Sequence, residues 1–138
     1  MRAGPCKTVM VVNDDRAFIE VVGDALRMEG LAVLLVPGVP DAVRALRTGF
    51  RPDAVLVDAF RGAAQVHVLV GELEATPRLR SVPVIMRSRR VERLAQIAPR
   101  SHKQLLALPR DARAMAELLD SVCDARSDDA SDSPSVVH

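Results

Sequence analysis

The sequence predicts an α/β fold: a parallel sheet of five strands with helices on both faces. Three observations carry that expectation. Short apolar runs alternate with amphipathic ones along most of the chain, the pattern of repeated βαβ units. Several of the apolar runs are continuous rather than alternating, as in strands covered on both sides. The runs are separated by Gly- and Pro-containing breaks short enough for a single wound sheet.

Each element has its own signal. Residues 7–12 (KTVMVV) suit a first strand. Residues 16–28 place Phe18, Ile19, Val22 and Leu26 near helical spacing, and Glu29-Gly30 stops that helix. Residues 31–36 (LAVLLV) form a second strand, read as covered on both faces, and Pro37-Gly38 breaks it. A short helix over 41–48 begins at Asp41, a suitable cap, and the chain turns from Gly49 to Pro52. Residues 54–57 (AVLV) form a third strand that ends at Asp58. Residues 64–75 read as a helix, although Val66, Val68 and Val70 also fit a strand period. A fourth strand covers 82–86 (VPVIM), a short helix 90–97, and a fifth strand 104–108 (QLLAL). The last helix runs from Asp111 to about Ala125, with Leu118, Leu119 and Val122 inward.

The 138 residues suit one domain, and 49% apolar content suffices for a core. Residues 1–6 read as an N-terminal extension, 7–125 as the domain, and 126–138 (Ser- and Asp-rich, without periodicity) as a disordered tail. With 19 basic and 18 acidic residues the net charge is +1, which gives no global pull toward nucleic acid or a membrane surface. No apolar stretch is long enough to span a bilayer, and the N-terminus lacks a signal-peptide layout. The chain has no Trp or Tyr and three Phe, which disfavours stacking on bases and a nucleic-acid partner. Cys6 and Cys123, far apart and without a motif, read as reduced thiols of a cytoplasmic protein.

In an open parallel sheet, ligands sit beyond the carboxyl ends of the strands. There the first strand delivers Asn13, Asp14 and Asp15, the third Asp58, the fourth Ser88, and the fifth Leu108-Pro109. Two carboxylates held close repel unless a cation lies between them. Hard oxygen donors with room for water suit Mg²⁺. The residues therefore point to an oxygen-lined divalent site beside a carboxylate able to act as a nucleophile. The plainer role of Asp15 is to cap the helix that follows it.

This ordered set resembles the receiver domain of bacterial response regulators over roughly residues 7–124. The resemblance implies a flavodoxin-like doubly wound sheet in the order 2-1-3-4-5. Asn13 and Asp14 match the acidic pair after the first strand, Asp58 the phosphoacceptor, and Ser88 the hydroxyl residue after the fourth strand. By resemblance Mg²⁺ would be held by Asp14, Asp58, Asn13 and the carbonyl of Ala59. Ser88 would hydrogen-bond a phosphoryl oxygen. The implied partners are a sensor histidine kinase or phosphotransfer protein and a downstream protein that meets the face over 88–120. A homodimer is a family habit.

The chain departs from the pattern in four places. Asn13 is neutral where the family has a carboxylate, which weakens the metal site. "DAFRG" replaces the usual loop sequence after the phosphoacceptor. Leu105 stands where an aromatic residue couples to the hydroxyl. Leu108 replaces the lysine that pairs with the phosphoryl group. Losing one such charge-assisted bond costs about 1.5–3 kcal/mol, roughly ten- to a hundred-fold in occupancy. Arg61, Arg87 and Arg89 are the nearby cations, read as solvated surface residues. The same reading covers the basic stretch from Arg78 to Lys103, and His67 reads as a helix-surface residue.

The expected function is that of a stand-alone, non-enzymatic receiver, phosphorylated on Asp58 and acting through protein contacts. The rival is a pseudo-receiver that binds its partner without phosphorylation, as Asn13 and Leu108 would favour. A flavodoxin-like nucleotide or flavin enzyme is disfavoured, since "NDDR" sets acids where a phosphate loop belongs.

Overall fold

A computed structural model describes residues 4–58, 63–87 and 113–124. The element order is β1 (Thr8–Val12), α1 (Arg16–Met28), β2 (Ala32–Val36), α2 (Val39–Arg47), β3 (Ala54–Asp58), α3 (Ala63–Ala75), a 3₁₀ turn (Pro77–Leu79) and β4 (Val84–Arg87). A last helix covers residues 113–124. The four strands are all parallel in the order β2-β1-β3-β4. That order is the described part of the expected 2-1-3-4-5 sheet. The expected strand over 104–108, the helix over 90–97 and the tail over 126–138 lie outside the described residues.

Side-chain alternation sorts the sheet into two cores. Met10, Val12, Val55, Val57 and Val84 pack with Val39, Ala42 and Leu46 of α2 and Val66, Leu69, Val70 and Leu73 of α3. Leu79, on the 3₁₀ turn, closes the edge of this core. Val9, Val11, Ala54, Leu56 and Ile85 pack on the other side with Val22 and Leu26 of α1 and Met115, Ala116, Leu119 and Val122 of the last helix. The central strands β1 and β3 are thus buried on both faces, which explains their unbroken apolar sequence.

β2 differs. It is the edge strand, so Val33, Leu34 and Leu35 are only partly buried and Ala32 is exposed, although helices lie on both sides. A continuous apolar run reads the same at an edge as at the centre. The second helix also corrects its expected start. It begins at Val39, with Pro40 in its first turn and Gly38 as cap residue; no side chain caps it. Pro fits the first helical turn, where its missing N–H is not needed. Asp41 lies inside that turn and pairs with Arg44 at 3.4 Å. The period ambiguity over 64–75 resolves as helix, with Val66 and Val70 inward and Val68 exposed.

α1 and α2 end alike. Gly30 and Gly49 both take left-handed backbone, φ 92° and 108°. The Gly30 N–H bonds Arg27 O and the Leu31 N–H bonds Leu26 O. The Gly49 N–H bonds Leu46 O and the Phe50 N–H bonds Ala45 O. These paired bonds satisfy carbonyls the helix leaves open, and only glycine takes the required conformation without strain. The stops aim β2 and β3 back along β1.

Candidate functional site

The register fixes which residues meet at the carboxyl edge of the sheet. Val12 of β1 is level with Val57 of β3, so Asn13 follows one row on, beside Asp58. In the same row, Asp58 is level with Arg87 of β4. Neighbouring strands lie about 4.8 Å apart. The backbone alone therefore sets Asn13-Asp14, Asp58 and Arg87 along one short stretch of edge. Ser88, Ala59 and Leu108 lie outside the described residues, as do Arg61 and Arg89.

Asn13 is the buried polar residue among those described, at 7% exposure. Its N–H bonds Val36 O of the edge strand at 3.2 Å. Its side-chain Oδ1 accepts the Asp15 N–H at 2.8 Å. This bond from residue i to i+2 bends the chain at the end of β1 and points it into α1. Asp14 and Asp15 are exposed at the turn. An amide oxygen performs this local task as well as a carboxylate oxygen. What Asn13 lacks is the negative charge.

By residue type, the donors named from the sequence are those Mg²⁺ takes, with one carboxylate fewer because position 13 is Asn. Mg²⁺ is commonly held by one or two carboxylates, with water and substrate oxygens filling the remaining positions. Asp14 and Asp58, on adjacent strand ends, supply two carboxyl groups by sequence. Among the described residues, no group of three or more His, Cys, Asp or Glu side chains is placed to hold a metal.

The opposite edge of the sheet holds a feature the sequence did not announce. Asp53, just before β3, accepts two backbone N–H bonds on one oxygen, from Lys7 at 3.0 Å and Thr8 at 2.9 Å. Its own N–H bonds Thr8 O at 2.8 Å. Asp120 of the last helix accepts the Cys6 N–H at 3.1 Å. Gly4 lies so close to the Asp120 carboxylate that a Cβ would have no room. An Asp beside Pro52 at the start of a strand was the available hint, but the partners come from the start of β1, 45 and 46 positions away in sequence. Cys6 and Cys123, 117 positions apart, are both buried in the same core.

Two arginines of the basic stretch are exposed, as expected, and also make backbone contacts. Arg78 donates to Leu46 O at 3.2 Å, at the end of α2, and Arg80 to Glu74 O at 3.2 Å, near the end of α3. They bind carbonyls at helix C-termini, where a cation is favoured. Arg47 and Glu72 join α2 to α3 at 3.0 Å, and Glu72 pushes the Arg47 pKa upward by hydrogen bond and charge. His67 is exposed on α3, as expected. Among the described residues no helix is long and apolar enough to cross a membrane.

No family sequence profile matches the chain, and no curated protein does. Solved structures do. A response regulator receiver domain protein from Methanospirillum hungatei superposes with a TM-score of 0.69 at 14% identity, covering 90% of this chain and 98% of that one. A transiently phosphorylated switch of bacterial signal transduction gives 0.67 at 22% identity, with 92% and 99% covered. The Mn²⁺-bound form of the response regulator Rcp1 gives 0.61 at 17% identity, with 84% and 91% covered. The topology of the sheet, the helices on its two faces and these superpositions lead to one conclusion: the chain has the fold of response regulator receiver domains.

Proposed function

We propose that the protein is a receiver of a two-component or phosphorelay pathway, taking a phosphoryl group on Asp58 and signalling through protein contacts rather than as an enzyme. The observation that carries this reading is the register at the carboxyl edge, which brings Asn13-Asp14 of β1 beside Asp58 of β3. A phosphohistidine on a sensor kinase or phosphotransfer protein is the donor. One Asp58 carboxylate oxygen forms the new bond to phosphorus, the phosphorus–nitrogen bond breaks, and the imidazole leaves with the electron pair. Asp14 and Asp58, with the Ala59 carbonyl, would hold Mg²⁺, which neutralises charge on the phosphoryl oxygens when bound. Ser88 bonds a phosphoryl oxygen and draws its loop toward the site. We take Arg87, whose backbone pairs with Asp58 in the register, as the replacement for the cation that Leu108 does not supply. The added charge biases the face over 88–120 toward its partner. The reading places the protein in the cytoplasm.

The test is amide NMR with Mg²⁺ before and after beryllofluoride, a phosphoryl mimic. The expected result is Mg²⁺-dependent shifts around Asp14, Asp58 and Ser88 that vanish in Asp58→Ala. A spectrum that ignores beryllofluoride would sink this reading.

A second reading is a phosphorylation-independent interaction module. It is favoured by Asn13, whose oxygen is bound to the backbone and whose charge is absent. Partner binding unchanged by Asp58→Ala, together with a silent beryllofluoride titration, is its signature.

A further inference from the structure

The two cysteines lie at opposite ends of the sequence and together in the fold. Cys6 precedes β1 and is fully buried; Cys123, on the last helix, is 3% exposed. Both belong to the same buried core, on the α1 side of the sheet. Cys123 Sγ in turn donates to the Asp53 carbonyl at 3.5 Å. One helical turn before Cys123, Asp120 holds the Cys6 N–H. The Cys6 backbone and the Cys123 side chain are thus each held by an aspartate of the amino edge, and both cysteines lie in the core that includes Val9, Ala54 and Leu119.

We propose that Cys6 and Cys123 form an intramolecular disulfide on oxidation by a small-molecule disulfide, a covalent lock between the segment ahead of β1 and the last helix. The reaction is thiol–disulfide exchange. One cysteine sulfur, as thiolate, attacks a sulfur of the small disulfide and releases one thiol. The second cysteine sulfur then attacks the protein sulfur of that mixed disulfide and releases the other. The two cysteines lose two protons and two electrons, and the small disulfide becomes two thiols. The neighbouring Cys123 thiol and burial push the Cys6 pKa upward. The thiolate is the reacting form, so exchange with the folded protein is slow, and exchange during folding, when both sulfurs are open to solvent, is fast.

Closure joins positions 6 and 123, so the cross-link constrains nearly the whole unfolded chain. The segment that Asp53 and Asp120 hold by hydrogen bonds becomes covalently attached while the disulfide stands. The last helix is then fixed against the sheet whatever happens at the carboxyl edge.

The test refolds the reduced full chain in a glutathione redox buffer at mildly alkaline pH and incubates the native protein in the same buffer. Intact mass, a non-reducing peptide map and melting follow. The expected product is a monomer lighter by two hydrogen atoms, with a Cys6–Cys123 peptide. Its Tm is higher by roughly 5–15 °C, and dithiothreitol reverses the rise. Cys6→Ser and Cys123→Ser each abolish the product in either arm. Glutathione adducts alone, dimers alone, or two free thiols after refolding overturn the proposal, as does a cross-linked chain that melts below the reduced one.

Discussion

The two ends of the sheet use the same residue type in opposite ways. At the amino end, Asp53 and Asp120 each bond backbone N–H groups, and the three bonds fix residues 6–8 at the entry to β1. At the carboxyl end, Asp14 and Asp15 are exposed, and the backbone turn is held instead by the neutral Asn13. A carboxylate that receives N–H bonds across a long sequence separation is a structural tie. Exposed aspartates at a strand end, one row from the aspartate that ends the next strand, stand instead at the edge where parallel sheets bind ligands. The contrast shows that counting acids does not locate a site; the edge of the sheet on which they stand, and what holds the backbone there, separates the two sets.

Three substitutions sharpen that contrast, taken from the largest expected effect. Asp53→Ala removes one acceptor from two N–H donors at the structural end. It is expected to cost about 2–4 kcal/mol in urea denaturation. The folded variant should still give the wild-type beryllofluoride spectrum. Loss of that response in a fully folded Asp53→Ala protein would erase the division between the two ends. Arg87→Ala tests the functional end. Beryllofluoride occupancy should weaken roughly tenfold or more, by about 1.5–3 kcal/mol, with Leu108→Lys restoring it in the double variant. An Arg87→Ala titration that overlays wild type would return Arg87 to the surface. Asn13→Asp is the mildest. The new carboxylate is expected to tighten Mg²⁺ binding roughly tenfold. Because position 13 is buried, the same change should lower Tm in chelator and recover it in Mg²⁺. A Tm that does not respond to Mg²⁺ would place residue 13 outside the cation's reach.

Much of the architecture was legible because it follows from period and punctuation. α1 occupies the expected 16–28, and Gly30 ends it by the paired bonds that a glycine stop implies. The edge position of β2 was not legible. LAVLLV carries no mark of its neighbours, and only pairing order shows that one side is open. The start of α2 was misplaced because Asp41 looks like a cap while Pro40 looks like a break, yet proline is welcome in a first turn. At the site, the ordered residues of the strand ends were readable, but the level pairing of Asp58 with Arg87 depends on register. The thiol pair and the Asp53 tie were invisible for the same reason: their partners are brought together by tertiary structure, and no local pattern encodes them.

The position of β1 has a consequence for synthesis. β1 emerges first, yet it stands between β2 and β3. Until residues 54–58 leave the ribosome, one side of β1 has no ladder partner, and its Val-rich edge is open to any other extended chain. The side of the sheet bearing α1 also lacks Met115, Leu119 and Val122 until the last helix is made. A nascent chain stalled before residue 113 therefore carries a half-covered sheet, a natural target for chaperones and proteases.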